Sequence, residues 1–144
     1  MSAIKKNKPI PLFESFNRMT GFDGKRIVSH IGDSKLYTKI ASTPQSQEMG
    51  YMNGEEPTHD EGIIFVYSEP AILQFWMKQV PFDLDIIFFD GDLNYVSHDT
   101  MKRWNGESDH ELPRYSSKLP AVYAVETKSG WFEKYGSTDC KLSF

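Results

Sequence analysis

Residues 62–90 read GIIFVYSEPAILQFWMKQVPFDLDIIFFD, and this stretch decides the fold. Ile63 to Tyr67 is a short unbroken apolar run, the pattern of a strand buried on both faces. Ser68-Glu69-Pro70 predicts a turn. Ile72 to Lys78 then alternates, with Leu73, Phe75 and Met77 on one side and Ile72, Gln74, Trp76 and Lys78 on the other, which predicts a second strand. Leu84 to Phe89 is apolar on both faces, as a central strand requires. Asp90-Gly91 is a hairpin signal, and a strand from Asn94 to His98 follows it.

Outward from this segment the chain keeps the same character. Upstream, Arg26–Ile31 and Lys35–Ala41 alternate around a Gly32-Asp33-Ser34 turn and predict a hairpin. Thr43 before Pro44 predicts a short helix ending near Gly50, with threonine as cap and proline in the first turn. An acidic loop carries Glu55, Glu56, Asp60 and Glu61. Residues 1–24 form an expected N-terminal arm, basic at Lys5, Lys6 and Lys8 and kept irregular by Pro9 and Pro11. Downstream, Asp99 to Pro120 is long and polar and reads as a loop insertion. Ala121 to Thr127 alternates, Ser129 to Gly136 suits one helical turn with a glycine stop, and Cys140 to Phe144 suits a closing strand. Many short strands with one or two brief helices give a mainly β fold, a small barrel or sandwich over residues 25–144.

At 144 residues the chain has the size of one domain with one core. Its 14% aromatic content means that the core, or an interface, is built from rings. The formal charge is −4, distributed as +5 over residues 1–39, −10 over 40–100 and +1 over 101–144. An acidic total argues against nucleic acid as partner, while the dipole offers a means of pairing copies head to tail. Cys140 is the one cysteine, so an intrachain disulfide and a multi-cysteine zinc site are excluded. The opening MSAIKKNKPIPLF has no apolar run behind its lysines, and nothing approaches the ~20 apolar residues of a membrane helix. The expectation is a cytoplasmic protein, or one assembled from the cytoplasm into a particle.

Gly50-Tyr51-Met52, Gly62-Ile63-Ile64-Phe65, Phe75-Trp76-Met77-Lys78, Leu84-Asp85-Ile86-Ile87-Phe88 and Val125-Glu126 before Gly130 carry a resemblance. In these residues the chain resembles domain-of-unknown-function family 192, whose pattern runs G-L-M-x-R, G-M-L-F, F-W-M-K-N-T, P-L-D-I-x-F and L-E-L-x-x-G. The spacing holds without a gap from Gly50 to Phe88. Three positions depart: the family arginine falls on Gly54, its asparagine-threonine pair on Gln79-Val80, and its proline on Asp83. The resemblance implies a compact, mostly β domain like a small barrel, and it brings no reaction.

Candidate chemistry is sparse. Trp76, Lys78 and Asp85 form the leading ligand-binding constellation: if their segments are neighbours, a tryptophan wall beside a paired charge suits a sugar or a peptide edge. The plainer reading is a structural ion pair over a sheet edge. His59-Asp60-Glu61, His98-Asp99 and Asp109-His110 place histidines beside acids, but none has the spacing of a metal motif, so no metal site is expected. Asp90-Gly91-Asp92 lacks the later ligands of a calcium loop. Serine-elbow, phosphate-loop and dinucleotide motifs are missing, so no cofactor is expected and most enzyme classes are disfavoured. Met101-Lys102-Arg103-Trp104 is a basic-aromatic tetrad that could stack on a base, bury as an anchor in a partner, or fold back as a plug of its own loop.

Two functional readings compete. The first is a non-enzymatic interaction or structural accessory protein, docking on protein partners or copies of itself through Phe13 and Phe16 of the arm and Arg103 and Trp104 of the loop; a virion component is one assembly of that kind. The second is a carbohydrate- or small-ligand-binding protein, hydrolytic in one variant, using Trp76, Lys78 and Asp85.

Overall fold

The computed structural model describes residues 21–144; the expectations for Phe13, Phe16 and the rest of residues 1–20 lie outside the described residues. The chain runs β1 (Arg26–Ile31), β2 (Ser34–Ala41), α1 (Pro44–Met49), β3 (Glu61–Ala71), β4 (Gln74–Phe75) and β5 (Leu84–Phe89). It continues through β6 (Tyr95–Met101), β7 (Tyr115–Ser116), β8 (Ala121–Lys128), α2 (Trp131–Tyr135) and β9 (Leu142–Ser143). Seven strands form one curled sheet in the order β6-β5-β8-β3-β2-β1-β9, and β4 pairs with β7 in a separate ribbon. All pairings are antiparallel except β2 with β3, which α1 and the acidic loop connect.

The two ends of the sheet meet. Leu142 N–H donates to Leu93 O at 2.9 Å, Tyr95 N–H donates to Cys140 O at 3.2 Å, and Asn94 bridges to Lys141. The last strand is thereby stitched to the start of β6, which satisfies backbone groups that two free edges would expose. The expected mainly β fold of barrel type is what the chain adopts.

Strand alternation sorts the apolar residues into two cores. Ile64, Val66, Ile87, Phe89 and Val125 face inward, with Leu36, Ile40 and Leu142, and α2 adds Trp131 and Phe132 from one end. Ile63, Phe65, Ile86, Phe88 and Ala124 face outward and are covered by Leu73, Phe75, Met77 and Val80. The three central strands β3, β8 and β5 are thus apolar on both sides, as the unbroken runs of the sequence require.

The structure corrects several boundaries. Residues 72–78 alternate as expected, with Leu73, Phe75 and Met77 buried and Ile72 exposed, yet only Gln74–Phe75 is strand. The segment crosses the outer face of the sheet as a cover and does not join it. Ser68-Glu69-Pro70 is no turn: β3 continues to Ala71, and its register against β8 jumps between Val66 and Ala71. A bulge there asks no ladder donor of Pro70, which is why a proline is tolerated mid-strand. The loop expected from Asp99 starts later, because β6 runs to Met101, whose side chain is buried, and β7 interrupts the remainder.

Local chemistry fixes α1 over the sheet. Thr43 caps it reciprocally with Ser46, Pro44 opens it, and Asp23 accepts from Ser42 N–H and Ser46 Oγ, both at 2.7 Å. Gln47 Nε2 donates to Val66 O at 2.8 Å, so a helix with no buried residue is still held against β3.

Candidate functional site

Beneath α1 and the turn after it lies a cleft of about 230 Å³ on the outer face of the sheet. Its floor is β3 and β8, where Phe65 and Glu126 emerge beside each other. Tyr51 and Met52 close one side, and Phe75, Trp76 and Lys78 of the covering segment form the opposite wall. Gly50 borders the space. Its backbone sits at φ +45°, a region that favours glycine, and a Cβ there would stand 3.6 Å from both Glu126 Oε1 and the Phe65 ring.

Glu126 is the chemical centre. It projects outward between Ile63 and Ile86, its register partners on β3 and β5, and is only 4% exposed. Its Oε1 has no hydrogen-bond partner among the described residues. Burial pushes the carboxyl up to about 8, so the group is largely a neutral acid at pH 7. Tyr51 and Tyr67 flank it, and each phenol is pushed above its ordinary range, first by burial and then by the Glu126 charge. A buried carboxyl oxygen left without a partner among the described residues costs free energy that a structural role would not require.

The opposite wall is held from outside. Lys78 Nζ stands 5.4 Å from the Trp76 ring centroid and Arg114 Cζ 4.5 Å, so two cations attend one indole. Lys78 is paired with Asp109 at 3.1 Å, and Arg114 donates to Leu112 O and Asp109 O. The 102–114 loop therefore braces the tryptophan. Asn53 and Gln79 clip the two sides together: Asn53 N–H donates to Gln79 O at 2.9 Å and Asn53 Nδ2 to Gln79 Oε1 at 3.2 Å.

Of the expected constellation, Trp76 and Lys78 meet in this cleft and Asp85 does not. Asp85 is an odd-numbered residue of β5 and faces the inner core, away from Ile86 and Phe88. Its Oδ2 accepts from Phe132 N–H at 2.9 Å and its Oδ1 from Thr100 Oγ1 at 3.0 Å. It supplies the cap that Gly130, the N-cap of α2, lacks a side chain to give. Trp104 is half-buried and gives its indole N–H to Glu107 O at 3.0 Å, in keeping with a plug of its own loop, while Arg103 is exposed. His98 stacks on Phe132 at 3.7 Å between ring centroids and is hydrogen-bonded to Tyr95 Oη. No cluster of three or more His, Cys, Asp or Glu suited to a metal occurs among the described residues.

The stretches that carry the family resemblance converge here. Gly50-Tyr51-Met52, Phe65, Phe75-Trp76, Lys78 and Glu126 come from four separate segments, and all line the one cleft. The DUF192 family profile, described as an uncharacterized ACR, matches residues 27–142. The chain belongs to that family. Two solved structures share its shape: a protein of unknown function from Novosphingobium aromaticivorans, 20% identical with a TM-score of 0.73, matched over 83% of this chain and 85% of that one. The second, from Sinorhizobium meliloti and labelled a proposed transcription regulator, is also 20% identical at TM-score 0.73, over 84% of this chain and 95% of that one. At such identity the likeness speaks to the fold alone. Among curated proteins none matches.

Within this DUF192 chain the departures have definite places. Gly54, at the family arginine, lines a second hollow with Arg26, Lys39 and Glu61, on the far side of Gly50 and Tyr51. Gln79 takes φ +58° and forms the clip to Asn53, and Val80 lines the cleft as an apolar residue. Asp83 accepts from Arg103 N–H at 2.7 Å, so the position of the family proline now anchors the loop. Sequence reasoning passed over Glu126 as a site residue. The sequence shows only a lone carboxylate inside AVYAVET; its outward-facing apolar neighbours, Ile63 and Ile86, are supplied by the strand register.

Proposed function

We propose that the protein is a small-ligand-binding module whose site is the cleft over Glu126. The observation that carries this is the unpartnered Glu126 Oε1, buried at the floor of a hollow that the family-pattern residues enclose. Pockets for small molecules are mostly apolar with a few placed polar groups, and this one has aromatic walls around a single deep carboxyl. Among the described residues that line the cleft, none pairs a nucleophile with a base, so the reading is of binding. A ligand-observed NMR screen of neutral, cationic and anionic fragments tests it. Hits that vanish with Glu126→Leu, which fills the floor and removes the carboxyl, support the site; hits that persist sink it.

A second reading is self-association through the β1–β2 hairpin. Its outer face presents Val28 and Tyr37, a cross-strand pair each 43% exposed, flanked by Arg26, Lys35 and Lys39. The acidic 40–100 segment of another copy complements that basic face in charge. Sedimentation at low and high salt tests it: a salt-sensitive dimer that Tyr37→Glu abolishes is expected, and a monomer throughout removes the reading.

A further inference from the structure

Resting on the cleft as a ligand site, we propose that its ligand class is an organic ammonium, seated against Glu126 within the aromatic walls. The floor states the requirement first. Glu126 Oε1 has no donor among the described residues, so the protein does not stabilise the ionised form, and an occupant bringing positive charge would. An ammonium does this most strongly, since it supplies both charge and, when not fully alkylated, N–H donors.

The walls point the same way. Tyr51, Phe65, Tyr67, Phe75 and Trp76 line the cleft, and aromatic enclosures attract cations through the ring quadrupole. An anion is disfavoured by Glu48, which lines the cleft, and by the carboxylate that Glu126 becomes once it ionises. Among the described residues Lys78 is the one lysine or arginine in the lining, and its charge is already answered by Asp109.

The proton balance follows. Empty, the carboxyl holds its proton at neutral pH because burial raises it to about 8. An ammonium entering beside it favours the carboxylate, so the O–H proton leaves to solvent and a buried ion pair forms in its place. The titratable and charged groups facing Glu126 are Tyr51 and Glu48 above it, Tyr67 on β3 and Lys78 on the covering segment. Tyr51 and Tyr67 stay neutral below pH 10, their phenols being raised, which leaves Glu126 as the group that governs the profile.

Choline and its uncharged isostere 3,3-dimethyl-1-butanol test this by titration calorimetry on the full chain at pH 6 and pH 9. Choline carries a permanent charge, so any pH dependence belongs to the protein. With an empty-state value of about 8, choline binding is expected to tighten up to about a hundredfold from pH 6 to pH 9. The alcohol should bind at least tenfold more weakly than choline at pH 9. Heats at pH 7 in Tris and in phosphate should differ by the ionisation of close to one released proton. Glu126→Gln should flatten the profile; should that variant misfold, the profile and buffer dependence of the unaltered protein decide. Equal binding of the two probes, or a flat profile, overturns the ammonium while leaving the cleft a ligand site. No binding of either probe, together with an empty fragment screen, overturns both.

Discussion

Asp85 Oδ2 accepts the backbone N–H of Phe132 at 2.9 Å, tying the central strand β5 to the first turn of α2 across the inner core. Both groups are buried, and the carboxylate is also held by Thr100 Oγ1. Asp85→Ala would leave an orphaned N–H and remove a charged acceptor, so a loss of about 2–3 kcal/mol is expected in urea unfolding. Ligand binding in the cleft should survive, because Asp85 faces the opposite side of the sheet. A variant that unfolds normally but loses binding would place Asp85 in the site after all.

Glu126 predicts a stability that falls as pH rises. Its carboxyl titrates near 8 when folded and near its ordinary 4.5 when unfolded. Between those values the folded chain holds more protons, so raising pH favours unfolding. The penalty is absent below about 4.5, grows through the interval, and is complete above about 8. Glu126→Gln keeps the shape and cannot ionise. Relative to the unaltered protein it should therefore gain a few kcal/mol at pH 9 and little at pH 4.5, in thermal melts with ligand absent. An equal difference at both pH values would show that the buried carboxyl does not control this term.

Much of the fold was legible in the sequence, and for identifiable reasons. Ile63–Tyr67 and Leu84–Phe89 could be placed as central strands because an apolar run without alternation demands burial on both faces. Thr43-Pro44 gave the start of α1, since capping is local chemistry. What was not legible is which layer a segment joins. The alternation of Leu73, Phe75 and Met77 states that one face is covered, and it is satisfied equally by a strand in the sheet or a strap lying over it. Asp85 was misassigned on that account: pairing it with Lys78 requires adjacent strands, and its parity within β5 sends it inward. Glu126 was passed over because a single acid in a strand carries no spacing signal, and its isolation emerges only when β3 and β5 are set on either side.

The covering segment separates structure from recognition in adjacent residues. Phe75 is buried and meets Phe65 edge-on at 4.9 Å and Phe88 at 5.8 Å. Phe75→Ala should cost roughly 3–5 kcal/mol in chemical denaturation, the range for deleting a packed ring. Trp76 is half-buried and lines the cleft beside Phe75 without being packed into the core. Trp76→Ala should leave a cooperative transition within about 2 kcal/mol of the parent while weakening ligand binding at least tenfold. Loss of folding with Trp76→Ala would instead mark the indole as core.

Gly62 tests whether the floor of the cleft depends on how closely β3 approaches β8. A Cβ at this position would stand 2.5 Å from the carbonyl oxygen of Glu126, and the obstacle is backbone, which cannot swing aside. Gly62→Ala must push the two central strands apart just where Glu126 is rooted. The expected cost is at least about 2 kcal/mol, in line with overpacking of a dense interior. Since the displaced residue is Glu126 itself, its carboxyl shifts against Gly50 and Phe65, and ligand affinity should fall in the fraction that remains folded. Gly50→Ala is the comparison: its Cβ meets only ordinary contacts at 3.6 Å, so its penalty comes from the φ of +45°. Hydrogen exchange discriminates the two, because Gly62→Ala should loosen amides along β3 and β8, whereas Gly50→Ala should loosen those of α1 and the turn that follows it.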